Sequence, residues 1–171
     1  MAISSAFSLP CENSTGGIVN IWLTDKANVS SFTLSGSAYN AITMVSSAVF
    51  YSYQFEQDTA EYKETVSREN YSTVVNHELE FYLTKMNTTQ RDALQDLIDS
   101  SVCGVVAIAQ DANGNKWVIG YSEEQGLARP LKVQSMEGTT GKAFTDGNGS
   151  SVMLASSDTE KARVFTGTVP V

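Results

Sequence analysis

The sequence predicts a mainly β fold: a β-sandwich or flattened barrel with one flanking α-helix. Three observations carry this. Short runs of β-branched and aromatic residues alternate apolar with polar, an Asn-Gly pair separates two of those runs, and only one stretch shows a helical stripe. A length of 171 residues suits one domain, and no linker or internal repeat divides the chain. Residues 1–15 are expected to form a flexible N-terminal arm ahead of a single β-rich domain over 16–171. Ile3, Phe7 and Leu9 make that arm apolar enough to dock on a neighbouring subunit.

The first strand is expected over 18–24, after Gly16-Gly17, where Ile18, Val19, Ile21 and Trp22 supply β-branched and aromatic side chains. Turn chemistry at 25–28 closes it, and a half-exposed strand over 29–35 follows, with Phe32 and Leu34 against Ser31, Thr33 and Ser35; the two are expected to be hairpin-linked. Two long β segments come next, 50–58 with Tyr51, Tyr53 and Phe55 on one face, and 61–69 with Tyr62 and Val66 beside Glu64 and Arg68. The clearest strand spans 73–83: Val75, His77, Leu79, Phe81 and Leu83 share a core face, and Val74, Asn76, Glu78, Glu80 and Tyr82 a wet one.

Asn87 followed by Gln90 signals a helix start, and Ala93, Leu94, Leu97 and Ile98 form its one stripe over about 12 residues. Segments 102–112 and 115–122 then flank Asn113-Gly114, a hairpin signal that, with a two-residue turn, opposes Asp111 to Lys116. That register puts Val106, Ile108, Trp117, Ile119 and Tyr121 on one face and Val105, Ala107, Ala109, Val118 and Gly120 on the other. The helix is expected to cover the second, small-residue face from outside the main core. Segments at 130–134, 151–155 and 162–166 read as closing strands, with a glycine-rich turn region over 138–149.

Composition excludes several function classes. With 19 acids against 11 bases and a net charge of −8, the chain would repel nucleic acid rather than grip it by counterion release. One His and two Cys are too few for a zinc centre. Cys11 in the arm and Cys103 in an apolar strand argue for a reduced, cytosolic chemistry rather than a disulfide framework. The longest apolar run, 102–109, is too short to cross a bilayer, so no membrane partner is expected.

His77, the only imidazole, sits on an apolar strand face with no carboxylate evidently beside it, which suits a hydrogen-bonded structural histidine better than a general base. The pairs Glu78/Glu80 and Glu123/Glu124 have the residue types of sugar hydrolysis but the placement of charged faces. Asp111-Ala112-Asn113-Gly114-Asn115 has its glycine at the wrong position for a calcium loop, and Asp146-Gly147-Asn148-Gly149 lacks a phosphate-binding lysine. No enzymatic activity and no cofactor are expected. What remains is acidic charge on long β segments: Glu56, Asp58, Glu61, Glu64, Glu78 and Glu80. Alternation lets only one parity share a face, so Glu78 and Glu80 belong together, while Glu61 is the one placed closest to a turn.

The order of these elements resembles phage tail tube proteins and their ring-forming relatives. The local likeness runs from Glu80-Phe81-Tyr82-Leu83-Thr84-Lys85-Met86 into the helix. It continues along 105–121 through Asn113-Gly114 to Gly120-Tyr121, and ends in the Thr139-Thr140-Gly141 to Asp146-Gly147-Asn148-Gly149 segment. The resemblance implies a tail-tube-like virion protein, made in the host bacterial cytoplasm. It would form hexameric rings through sheet edges and stack them with other tail or neck proteins into a DNA conduit. The six acids are then the pool of lumen-lining residues, past which DNA slides without specific binding. Two other roles fit the composition. One is a capsid decoration or neck (head-tail connector) protein; the other is a carbohydrate-binding module using Tyr51, Tyr53 and Trp117 as sugar platforms.

Overall fold

A computed structural model describes Ile3 and residues 5–171; Met1, Ala2 and Ser4 of the expected arm lie outside the described residues. Two sheets and one helix make a β-sandwich with one flanking helix. In chain order the strands are β1 (Ile18–Asp25), β2 (Val29–Ser35), β3 (Ala38–Met44), β4 (Tyr51–Tyr53), β5 (Glu61–Glu69) and β6 (Ser72–Thr84). Helix α1 (Thr88–Cys103) precedes β7 (Val105–Asp111), β8 (Lys116–Ile119), β9 (Lys132–Thr139), β10 (Gly149–Asp158) and β11 (Arg163–Phe165). One sheet runs β2-β3-β11-β8-β7-β1-β4, the other β5-β6-β10-β9.

The inner faces meet in one core. Ile21 and Leu23 of β1 and Val105, Ala107, Ala109 and Ile119 of the β7–β8 hairpin pack with Leu79, Phe81 and Leu83 of β6 and Val152 and Leu154 of β10. This matches the alternation of β6, whose residues from Val75 to Leu83 are buried at every second position. The seven-stranded sheet also buries its other face. There Val106, Ile108 and Val118 pack with Phe32, Tyr39, Phe50, Phe165 and Val169, and Phe32 reaches Tyr121 at 4.7 Å between ring centroids. Buried on both faces, β7 reads as an unbroken apolar run.

Four expectations are corrected here. First, β2 does not pair with β1: it pairs with β3, at the far edge of the sheet, while β1 lies between β7 and β4. A short 3-10 turn at Lys26–Asn28 turns the chain away, and the strand at Ala38–Met44, absent from the expected elements, supplies β2's partner. Second, the long segment over 50–58 is only β4; beyond it the chain turns, and Asp58 adopts the left-handed region at φ 59°. Third, Val102 and Cys103 end the helix instead of opening a strand, because Gly104 at φ 112° caps it and its N–H donates to the Ser100 carbonyl at 2.9 Å. Cys103 is therefore exposed, as is Cys11, and both are free thiols.

The fourth correction is the hairpin register. Ala109 faces Trp117 and Gln110 faces Lys116, one residue away from the two-residue-turn pairing. The loop is Ala112-Asn113-Gly114, closed by Asp111 N–H to the Asn115 carbonyl (2.9 Å) and Gly114 N–H to the Asp111 carbonyl (3.1 Å), with Gly114 at φ 91°. That is a type I turn with a glycine bulge. The shift moves Trp117 and Ile119 to the face of Val105, Ala107 and Ala109, and Val118 to the opposite face. The helix follows suit: Leu94 and Leu97 enter the core between the sheets instead of covering the hairpin from outside.

Candidate functional site

The acids are best located by strand register. Directly opposed residues share a face, so Glu61 with Glu80, Lys63 with Glu78 and Glu69 with Ser72 all lie on the outer face of the four-stranded sheet. The β10 and β9 pairings extend that face through Ser151, Met153 and Ala155 to Glu137, Ser135 and Lys132. Five carboxylates, Glu61, Glu69, Glu78, Glu80 and Glu137, thus stand among two lysines, Lys63 and Lys132. The Glu61–Glu80 pair is like-charged and directly opposed, an arrangement that costs stability in a sheet, whereas Lys63 offsets Glu78.

The six expected residues separate into three groups. Glu61, Glu78 and Glu80 come together, and Glu61 opens β5 instead of sitting in a turn. Glu56 and Asp58 are exposed in the turn between β4 and β5, tied to the sheet where the Glu56 N–H donates to the Tyr82 carbonyl at 3.0 Å. Glu64 leaves the set: it opposes His77 and points to the inner side. Two acids of the face are not among the six expected. Glu69 shares its parity with Glu61, a signal that was available. Glu137 follows a bulge between Met153 and Leu154 that breaks the alternation of β9, and Gly138-Thr139 resemble a turn.

Glu64 belongs to a partly buried polar cluster around the buried His77. The Tyr62 hydroxyl donates to Glu64 Oε1 at 2.7 Å, and His77 Nδ1 lies 2.7 Å from the same hydroxyl. His77 Nε2 is 3.0 Å from the Glu160 carbonyl, which can only accept, so Nε2 carries a hydrogen. Glu64 Oε1 also accepts the Ala162 N–H at 2.7 Å. Burial first, then the hydrogen bond and charge of Glu64, push the Tyr62 phenol far above its ordinary value. The Glu160 carboxylate accepts the Glu123 N–H and binds Arg163 at 3.0 Å. The carboxylate expected to be missing beside His77 is thus Glu64. Glu64 and His77 are tied to the segment crossing from β10 to β11, and Tyr62 joins them, which makes the cluster a clasp between the two sheets.

The other constellations resolve into local structure. Asp111 Oδ1 accepts from Asn113 and Asn115 N–H (3.0 and 2.8 Å), and its Oδ2 from the Trp117 indole at 3.1 Å; the calcium-like run is a self-capped loop. Asp146 accepts the Lys142 and Ala143 N–H groups at 2.8 Å, and the Ala143 and Lys142 bonds lower its pKa. Among the described residues no His, Cys, Asp and Glu side chains gather as metal ligands. Tyr53 and Trp117 face the core, in line with Ile21 and Ala109 across the sheet, while Tyr51 is exposed, so the three form no single sugar platform. No helix of the described residues is long and apolar enough to span a membrane. No family model matches the chain, and no curated protein and no solved structure is significantly similar to it.

Proposed function

We propose that the chain is a structural protein of a bacteriophage tail that associates with itself into rings and stacks them into a conduit for DNA. The observation that supports this most is the acidic outer face of the four-stranded sheet. Glu61, Glu78 and Glu80 are held side by side on β5 and β6, with Glu69 and Glu137 at its margins. A rigid sheet fixes carboxylates at regular spacing without covering them, and turned toward a bore they repel phosphates at every step. Catalysis is not part of the proposal: Tyr62, Glu64 and His77 are bonded to one another and to the backbone of Glu160 and Ala162. The ring size, six, comes from the resemblance alone. Negative-stain microscopy of the purified protein tests the proposal: annuli or tubes with a central hole support it, and dispersed monomers at high concentration and in the presence of other tail components end it.

A further inference from the structure

The seven-stranded sheet ends at β4, whose outer side has no strand partner among the described residues. Beside that edge lies a groove of about 890 Å³ between β4 and helix α1. Leu23, Leu97 and Val105 lie at its apolar floor, Tyr51 stands on the β4 wall, and at the inner end the Tyr53 hydroxyl donates across to the Ala93 carbonyl at 3.4 Å. Unpaired strand edges beside apolar grooves accept extended segments: main-chain bonds give affinity, and alternate side chains enter the groove.

The segment preceding β1 has the matching pattern. Ile3, Phe7 and Leu9 share one parity, so an extended arm presents them on one side, and no charged residue occurs from Ile3 to Cys11. Within a single chain the arm is undocked, for Phe7 is 86% and Leu9 84% exposed. Its root explains this. The Ala112 N–H donates to the Gly17 carbonyl, and Asn113 binds Thr15 through both its side-chain atoms at 3.0 and 2.9 Å. The arm therefore leaves over the β7–β8 loop, on the far side of β1 from β4.

We infer that the arm of one copy docks along β4 of the next, with Phe7 and Leu9 in the groove against α1. Arm and groove are separate surfaces of the chain, so a copy whose arm fills the next copy's groove keeps its own groove for a third copy's arm; heterologous contacts of this kind close into rings or run on as filaments. An uncharged arm also approaches the aspartates at the groove rim, Asp25 and Asp96, without repulsion, although the chain carries a net charge of −8. This inference rests on the self-assembly proposed above and names the joint that makes it.

Complementation by native mass spectrometry tests it. One variant lacks residues 3–10; a second carries Ala93→Arg, which fills the groove on a helix that tolerates Arg. Each alone is expected to remain monomeric where the wild type forms rings, and a 1:1 mixture to stop at a heterodimer, because only one arm and one groove are left. Phe7→Asp, in an arm outside the core, is expected to match the deletion, which separates lost docking from lost folding. Rings from the arm-deleted protein at the wild-type concentration, or no heterodimer in the mixture, overturn the arm joint while leaving ring assembly standing. A monomeric wild type overturns both.

Discussion

At the scale of single residues, glycines at positive φ separate backbone strain from crowding. Gly114 sits at φ 91° with open space where a Cβ would stand, so Gly114→Val meets only the conformational penalty, about 1–3 kcal/mol. Gly120, at φ 90°, would place a Cβ 2.9 Å from the Val105 carbonyl oxygen and 3.1 Å from the Leu131 nitrogen. Gly120→Ala is therefore expected to lower the urea midpoint more than Gly114→Ala; equal shifts would mean that the Val105–Leu131 bridge yields freely. Tyr62 offers a pH test. Its folded-state pKa is raised from 10.0, so its stabilisation is complete below pH 10 and is lost as pH rises above that value. Tyr62→Phe is expected to flatten the alkaline loss of stability in denaturation series above pH 10; an unchanged slope would place the alkaline sensitivity elsewhere.

Elements show which parts of the fold were readable and which were not. β6 could be bounded from alternation because one of its faces is set by the core, and the Asn87 cap, whose Oδ1 accepts the Gln90 N–H at 2.8 Å, marked the helix start. The helix end was hidden, because Val102 and Cys103 continue into the apolar β7 and only Gly104 interrupts them. The hairpin went wrong by one residue for a local reason: Asp111 caps two N–H groups of the loop and favours a three-residue turn, whereas Asn-Gly by itself suggests two. In the acidic face, Glu78 and Glu80 followed from parity, whereas Glu61, expected nearest a turn, joins them only through the β5–β6 register; Glu64 has the parity of Tyr62 and so lies on the inner side, opposite His77. A helix seated in the inter-sheet core makes a sharp prediction. Leu97, 3% exposed, is expected to cost about 2–5 kcal/mol when changed to Ala, and Ile98, 39% exposed, well under half of that. Thermal or urea unfolding of the two variants checks it, and equal losses would move the helix out of the core.

For the whole molecule, the two sheets divide the work. The seven-stranded sheet is buried on both faces and gives rigidity, while the four-stranded sheet keeps one face for core and one for solvent. Because Glu78 and Glu80 lie on that outer face, their substitution leaves the inter-sheet packing untouched. Glu78→Lys with Glu80→Lys is expected to fold with a melting temperature close to wild type. The Glu61–Glu80 repulsion is replaced by an attraction, and the Lys63–Glu78 attraction by a repulsion, so the local changes oppose each other. The functional effect does not cancel. Each subunit changes by four charge units on the face proposed to line the bore, from −2 to +2 at these two positions, and every ring multiplies that change. Phosphates that were repelled would now be held, and DNA delivery would slow. Salt screens such contacts over about 8–10 Å at 0.1–0.15 M, so raising the ionic strength is expected to restore part of the rate. Assembly of the double variant into tails, followed by timed genome release at two salt concentrations, measures this. Normal, salt-independent delivery from assembled variant tails would remove Glu78 and Glu80 from the bore and turn the four-stranded sheet toward the outside of the ring.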